Sequence, residues 1–298
     1  MKFLGYILTY SFVWLLHLLP EPILYFISNL LYLLMYHVAG YRKKVVFDNL
    51  EKAFPEYDRT EIKRCAKKFY HHLSDVILES AVFHFYTESK ALNRLSFKNP
   101  ELLDDLYKKG KQVMAVVGHY GNWEYIAALG LHIEYPSLAI YKPLRNRYFD
   151  RMVQKNRRAF GVIPVPMAKI GRKLIEYHRS GTPVLTLFLA DQRPQYHQIQ
   201  YWTKFLGRDT PLFLGTEKLA RKLDAAVIFL KYRKLRRGRY EVEAELICES
   251  PEELKPYEIT ERHVRILEGM IREEPAYWLW SHHRWKHSYE KFKQEHGE

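Results

Sequence analysis

Two apolar runs open the chain. Residues 3–19 carry no charged side chain apart from His17, and residues 23–41 form a second run that ends at the basic cluster 42–44. A membrane-spanning helix needs roughly 20 apolar residues, so each run is of borderline length. The pattern leaves two arrangements open: one spanning helix with one interfacial helix, or a shallow hairpin. We therefore expect a membrane anchor over residues 1–44.

The topology of this anchor follows from its flanks. The first run lacks a small-residue cleavage site and is followed by a second apolar run, which disfavours a cleaved signal peptide. Basic residues after an apolar segment tend to stay on the cytoplasmic side. The cluster at 42–44 therefore places the remaining domain, residues 45–298, on the cytoplasmic face of the membrane.

The rest of the chain alternates short apolar runs with amphipathic segments. The predicted strands are 113–117, 137–141, 183–190 and 226–232, and the predicted helices are 45–88 (interrupted at Pro55), 99–109, 123–131, 146–160, 168–180, 211–222 and 258–273. This alternation is typical of an α/β sheet with parallel strand pairs. The polar–apolar alternation after Gly238 predicts an edge strand, paired in a hairpin with 226–232.

The segment GHYGNWE, residues 118–124, follows the first predicted strand. Asn122 is a good N-cap for the helix that comes next. His119 and Glu124 are five residues apart, so on one helix or one strand they would face in different directions. They can meet only if the chain turns between them, and Gly118 and Gly121 permit such a turn.

A histidine held by a carboxylate suits a general base. Glu124 would fix one imidazole nitrogen of His119 while the other takes a proton from a hydroxyl. The positive end of the helix would stabilise the Glu124 anion and keep His119 neutral. Backbone N–H groups near Gly121 would be available to a phosphate or an oxyanion. The competing interpretation is a loop histidine and a capping glutamate. A metal site is disfavoured because no third ligand lies nearby in sequence.

The formal net charge of +13 favours an anionic partner, such as a membrane surface, a phosphorylated substrate or nucleic acid. The predicted helix at 146–160 has one basic face, formed by Arg147, Arg151, Lys155 and Arg158. This face either binds anionic headgroups or is simply exposed to solvent. The apolar N-terminus argues against a nucleic-acid binder. Cys65 and Cys248 have neither disulfide-framework nor zinc spacing.

Two further segments are candidates for the site. Asp191, Gln192 and Arg193 follow the strand at 183–190, and ligand-binding residues tend to lie at the carboxyl ends of strands. His119 also follows a strand, so the two segments are expected to converge, unless 191–193 is an ordinary polar loop. The tail 277–286 is rich in aromatic residues and histidines. Packing against the sheet, with Arg284 near the substrate, is favoured there over a metal cluster.

Taken in order, these segments resemble the lipid A biosynthesis acyltransferases, the late or secondary acyltransferases of the lysophospholipid-acyltransferase-like superfamily. The resemblance covers nearly the whole chain. It rests on Tyr41–Lys44, Asn49–Glu56, His119 through Glu124, Tyr141-Lys142-Pro143, Arg157, Arg158, Gly161, Ala190-Asp191-Gln192, Phe205-Leu206-Gly207, Thr210–Gly215, Ala220-Arg221 and Pro275–Lys286.

The resemblance implies a glycerolipid-acyltransferase-like mixed sheet flanked by helices, at the bacterial inner membrane. The implied reaction moves a fatty acyl group from acyl carrier protein, or from CoA, to a hydroxyl of a lipid A precursor, with no cofactor, metal or covalent intermediate. His119 would be the base and Glu124 would orient it. The implied substrate-binding residues are Asn122, Lys142, Arg157, Arg158, Asp191, Gln192, Arg193 and Arg284. Another envelope glycolipid or aminolipid as acceptor, and an inactive lipid-binding protein, remain alternatives.

Overall fold

The computed structural model describes residues 2–296, and it begins with four helices. They are α1 (Lys2–Leu18), α2 (Glu21–Leu33) with a π-helical turn at Leu34–Val38, α3 (Lys43–Ala53) and α4 (Arg59–Phe83). Pro55 separates α3 from α4, as predicted. Asp58 caps α4 by accepting from the N–H of Glu61, whose side chain accepts from the Asp58 N–H in return. This reciprocal pair is a capping box, which satisfies N–H groups that a helix start leaves free.

No single helix in the described part of the chain has the length and apolar character to cross a membrane. Only one pair of helical segments, Glu21–Val38 and Lys43–Ala53, meets that requirement jointly, and the pair is bent by 86°.

A mixed seven-stranded sheet forms the centre of the molecule. Its strands are β1 (Leu95–Phe97), β2 (Val113–Val117), β3 (Ser137–Tyr141), β4 (Val162–Pro166), β5 (Leu185–Leu189), β8 (Ala226–Arg236) and β9 (Arg239–Cys248), and a separate antiparallel pair comprises β6 (Tyr201–Phe205) and β7 (Arg208–Leu212). The order across the large sheet is β1-β9-β8-β2-β5-β3-β4. All neighbours are parallel except β8 and β9. The predicted α/β class and all four predicted buried strands are therefore confirmed.

Among the described residues the further α-helices are α5 (Glu88–Leu92), α6 (Glu101–Lys108), α7 (Arg147–Ala159), α8 (Ile170–Arg179), α9 (Gly215–Leu223), α10 (Glu258–Glu273) and α11 (Tyr289–His296). Residues 123–131 are helical as predicted but take the tighter 3₁₀ form. The helix predicted at 211–222 begins only at Gly215, because Pro211 and Leu212 belong to β7. The predicted hairpin of β8 and β9 is confirmed. Its predicted edge position is wrong, because β1 pairs with the outer side of β9.

The N-terminal helices pack on the sheet domain through buried polar contacts. The Ser28 hydroxyl of α2 donates to Asp75 of α4 at 2.7 Å. Arg237, in the turn between β8 and β9, bonds the same Asp75 carboxylate and also Asn29 of α2 at 2.8 Å. Helix α2 is therefore tied to α4 and to the turn between β8 and β9.

Strands β2 and β5 bring the site together. They are parallel neighbours in register, with Val117 opposite Leu189. Parallel strands end at the same edge of a sheet, so the residues that follow each strand become neighbours. The chain therefore delivers His119 and Asp191, two residues beyond Val117 and Leu189 respectively, to one place.

Candidate active site

The loop after β2 is tightly constrained. Gly118 is closely packed, because a Cβ there would lie 2.7 Å from Leu267 Cδ1 on α10 and would require that side chain to shift. Gly121 has a φ of +63°, a conformation that favours glycine. The C-terminal tail runs alongside this loop, and the Leu279 N–H donates to the His119 carbonyl at 3.1 Å. The imidazole therefore projects from a rigid backbone, which a positioned base requires.

Asp191 holds the His119 side chain. Its Oδ1 lies 2.6 Å from His119 Nδ1, and its Oδ2 accepts from the His119 N–H at 2.9 Å. The indole N–H of Trp278 also donates to Oδ2, at 2.8 Å. The predicted convergence of the two strand ends is thus confirmed. The carboxylate on the imidazole, however, is Asp191, so the prediction that Glu124 holds this ring is corrected.

The pKa values of this pair follow from their contact. Burial disfavours a charged imidazole, but the negative charge of Asp191 and its hydrogen bond outweigh burial and raise the pKa of His119 above 6.5. Burial acts against the Asp191 anion as well, yet His119 and the bonded N–H groups lower the pKa of Asp191 to about 2. The positive end of the helix was expected to lower the pKa of His119. This expectation is wrong, because the Asp191 carboxylate lies closer and raises that pKa.

The other imidazole nitrogen faces Gln192. Its amide Nε2 lies 3.0 Å from His119 Nε2. Because an amide nitrogen can only donate, His119 Nε2 accepts this bond and the ring proton resides on Nδ1, facing Asp191. The exposed Gln192 amide therefore occupies the position from which a hydroxyl would donate its proton to His119.

A large groove opens beside this pair, with a volume of about 1100 Å³. Trp123 and Gln192 belong to its wall, and the Trp123 and His119 rings lie 5.3 Å apart. Much of the wall is apolar and comes from the π-helical turn, α4, the segment after β3, and α7: Leu34, Met35, Leu73, Val76, Ile77, Leu144 and Val153. The size and composition suit a long hydrocarbon chain attached to a polar group.

Three of the predicted site residues lie in the groove wall without contacting the base. They are Glu124, Lys142 and Arg157. Glu124 is the second residue of the 3₁₀ helix, where its N–H donates to Asn122 at 3.3 Å, and its negative charge contributes to the raised pKa of His119. Glu124 therefore acts on the base through the electric field, while Lys142 and Arg157 supply positive charge to the groove.

Other predicted substrate-binding residues lie elsewhere. Asn122 is fully buried and donates to Glu79 at 2.9 Å, so it fixes the loop, although its predicted role as helix N-cap is confirmed. Arg284 is 1% exposed and donates to the Pro211 carbonyl at 2.9 Å. Both side chains are internal, which corrects the prediction that they bind substrate. Buried polar side chains need hydrogen-bond partners within the protein, and these two residues have them.

Arg158 and Arg193 lie outside the groove wall. Arg158 is exposed on α7, one position beyond Arg157 and turned about 100° around the helix axis. Arg193 is half-buried, and its guanidinium contacts His287 at 3.3 Å. Neither is among the residues that line the groove in the described part of the chain.

Two contributions were missed from the sequence. Trp278 anchors Asp191, and Asp191 itself orients the base. The aromatic tail signalled that Trp278 would be buried, but no linear spacing connects it to residue 191. Within residues 2–296, no group of three His, Cys, Asp or Glu is placed to hold a metal ion.

Fold and site together define a class: an α/β enzyme with a histidine–carboxylate pair at the end of a parallel strand, facing an apolar groove. The family model for bacterial lipid A biosynthesis acyltransferases matches residues 1–287. The chain belongs to that family. It is also similar to the lipid A biosynthesis lauroyltransferase of Escherichia coli (strain K12), with 23% identity over 283 residues, which cover 92% of this chain and 89% of the relative. Membership supports acyltransferase activity in lipid A biosynthesis.

Proposed function

We propose that the protein transfers a fatty acyl group from a thioester, carried by acyl carrier protein or CoA, to a hydroxyl of a lipid A precursor. The single observation that carries this proposal is the His119 imidazole, held by Asp191 on one nitrogen and contacted on the other, at 3.0 Å, by the amide of Gln192, which lines the groove. A neutral imidazole with one anchored nitrogen is the arrangement that general-base catalysis needs.

In the proposed reaction the acceptor hydroxyl displaces the Gln192 amide and donates its proton to His119 Nε2. The hydroxyl oxygen forms a bond to the thioester carbonyl carbon, and the carbon–sulfur bond breaks. The imidazolium returns its proton to the departing thiolate, which regenerates the neutral base. Asp191 stays ionised throughout and stabilises the imidazolium. No covalent bond to the protein forms.

The carbonyl oxygen gains negative charge during attack, and donors must be aimed at it. The predicted role of the Gly121 N–H is corrected, because that group donates to the Tyr277 carbonyl at 3.0 Å. Donors in the groove wall include the displaced Gln192 amide, the Lys142 ammonium and the Arg157 guanidinium. We assign oxyanion stabilisation to Gln192, because it starts within 3.0 Å of the base.

We further propose that the protein works at the cytoplasmic face of the bacterial inner membrane. Helices α1 and α2 and the π-helical turn expose large apolar side chains: Phe3, Leu4, Ile7, Leu8, Phe12, Trp14, Leu15, Leu18, Ile23, Phe26, Leu30, Leu33, Leu34 and Val38. Exposed apolar side chains in this number support contact with lipid. The exposed cations Arg42 and Lys44 follow immediately and would meet anionic headgroups.

Transfer is tested with purified protein, a lipid A precursor in detergent micelles, and either lauroyl-loaded acyl carrier protein or lauroyl-CoA. Mass spectrometry should show the acceptor gaining one acyl group with the wild type. His119→Ala should lower the rate by roughly 100- to 10,000-fold, the contribution of a general base. His178→Ala is the matched control, since His178 is exposed on α8.

Two results would contradict the proposal. Acyl transfer by His119→Ala at the wild-type rate would refute the assignment of His119 as the base. Absence of acyl transfer with both donors would refute the proposed reaction. Membrane contact is tested by flotation with vesicles of phosphatidylethanolamine and phosphatidylglycerol, because the anionic phosphatidylglycerol gives the vesicles a negative surface potential. The protein should float with them, and recovery only in the bottom fraction would contradict membrane contact.

A further inference from the structure

Helix α4 carries three buried titratable side chains that the proposed reaction does not use. They are His72, Asp75 and Glu79, which are 4%, 3% and 1% exposed. Their spacing of three and four residues places them on one face of the helix. Buried groups of this kind are costly unless they are hydrogen-bonded, so their partners indicate what the face does. Two of the three contact the active-site loop, residues 118–124.

Glu79 contacts this loop at Asn122. Its Oε2 accepts from the Asn122 amide nitrogen and from the Tyr240 hydroxyl of β9, both at 2.9 Å. Its Oε1 accepts from the Tyr25 hydroxyl of α2 at 3.1 Å. The Asn122 amide oxygen is then free to accept from the Glu124 N–H, at 3.3 Å. Glu79 therefore fixes the direction of the Asn122 amide, which caps the 3₁₀ helix.

His72 contacts the same loop one residue earlier. Its Nε2 lies 3.2 Å from the Gly121 carbonyl oxygen, and its Nδ1 lies 3.2 Å from Lys234 Nζ on β8. A carbonyl oxygen can only accept and an ammonium can only donate, so Nε2 carries the ring proton and Nδ1 accepts. Lys234 also donates to Asp75 at 3.4 Å, which holds the ammonium in place. Lys234 thus fixes the tautomer in which His72 donates to the loop.

The loop is therefore held at two consecutive residues between His119 and Glu124. We propose that His72 and Glu79 are positioning residues, which act on the reaction by keeping this turn in one geometry. Neither needs to touch the substrate, because a small displacement of a reacting group costs up to roughly 100-fold in rate. The inference rests on the proposed function for its effect on catalysis, whereas the hold on the loop is measurable without substrate.

The role of Glu79 is tested by comparing Glu79→Gln with Glu79→Asp. Glutamine keeps the reach and loses the charge, since its oxygen can accept from Asn122 while its nitrogen donates to Tyr25. Aspartate keeps the charge but is one methylene group shorter. We expect a kcat near wild type for Glu79→Gln, and a kcat lowered about 10- to 100-fold for Glu79→Asp with smaller changes in KM. Tyr25→Phe is the control, because it removes a hydrogen bond to Glu79 but leaves the bond to Asn122.

Three results would overturn the positioning role of Glu79. A wild-type kcat for Glu79→Asp would show that its reach to the loop is unimportant. Equal losses of kcat in Glu79→Gln and Glu79→Asp would assign the effect to charge. An equal loss in Tyr25→Phe would assign it to general destabilisation of the packing around Glu79.

The role of His72 is tested by a second pair, which also covers the case in which Glu79→Asp does not fold. Glutamine at 72 can still donate to Gly121 and accept from Lys234, whereas leucine can do neither. We expect His72→Leu to lower kcat about 10-fold and His72→Gln to recover most of this loss. His71→Leu is the matched control, since His71 is the exposed neighbour on α4. A wild-type kcat for His72→Leu, or no recovery in His72→Gln, would overturn the role of His72.

Hydrogen exchange of the full-length protein without substrate measures the hold directly. Deuterium uptake by peptides that cover the active-site loop should be faster in Glu79→Asp and His72→Leu than in the wild type and the two glutamine variants. Unchanged uptake in both shortened variants would overturn the proposal. Failure of the wild type to transfer acyl groups would instead refute the function, and the uptake would then decide the hold on the loop alone.

Discussion

Asp191→Asn separates the orienting role of this residue from its role in packing. The two side chains have the same shape, but the amide replaces one acceptor by a donor. Its oxygen can still accept from the His119 N–H and from Trp278, which now donate to Oδ2 at 2.9 and 2.8 Å. The amide nitrogen then faces His119 Nδ1, at the position where Oδ1 lies 2.6 Å away.

This exchange reverses the tautomer of the His119 imidazole. Nδ1 must accept from the new amide, so the ring proton moves to Nε2 and the base loses its lone pair toward the groove. We expect kcat to fall roughly 100- to 10,000-fold, or about 3 to 5 kcal/mol of transition-state stabilisation. Two of the three hydrogen bonds persist, so the melting temperature should change little.

The assay follows acyl transfer to a lipid A precursor under saturating donor, with thermal unfolding measured in parallel. Asp105→Asn on α6 is the matched control, because Asp105 is exposed and its ion pair with Lys108 spans 4.0 Å. A wild-type kcat for a folded Asp191→Asn protein would refute the orienting role. A large drop in the melting temperature would show that Asp191 acts mainly in packing.

Three further predictions concern the base, the groove and the loop. Because Asp191 raises the pKa of His119, kcat/KM of the wild type should fall as the pH drops through a value above 6.5, whereas an acid limb at or below pH 6.5 would contradict the raised pKa. Arg157→Gln should raise KM severalfold and Arg158→Gln should not, since Arg157 lines the groove and Arg158 does not. Equal KM values for the two variants in steady-state kinetics would refute a specific role of Arg157 in substrate binding. Gly118→Ala should destabilise the protein by about 1–3 kcal/mol in urea unfolding, because the new Cβ meets a core side chain at 2.7 Å; unchanged stability would show that the core side chain moves aside freely.

The strands could be predicted from the sequence because buried parallel strands are short and almost uniformly apolar. The run 113–117 is the clearest example, with all five residues buried. β4 was missed because Pro164 and Pro166 interrupt it, and proline is tolerated there only because β4 lies at the sheet edge. β1 has three residues, which leaves no periodicity to read.

The site was predicted in part, for a physical reason. The sequence indicates that His119 and Asp191 both follow strands, but it does not show that β2 and β5 are adjacent, since two other strands lie between them in the chain. Glu124 was paired with His119 because it is near in sequence. The strand order places Asp191 nearer, and the first helical turn directs Glu124 to the groove wall instead.

The same limitation explains the error over Arg284. An arginine in an aromatic tail predicts either a ligand contact or a buried support, and only the packing of the tail distinguishes them. Here Arg284 lies within the core, where it donates to Pro211. The same side chain can serve as a ligand contact or as a buried support, so composition and spacing do not indicate whether Arg284 points toward a ligand or into the core.

The most direct test is a crystal structure of the wild type with a lipid A precursor bound and no acyl donor. We expect one acceptor hydroxyl oxygen to lie about 2.6–3.2 Å from His119 Nε2, in the place now held by the Gln192 amide. A hydroxyl bonded to Glu124 instead, with Gln192 still covering the imidazole, would contradict it.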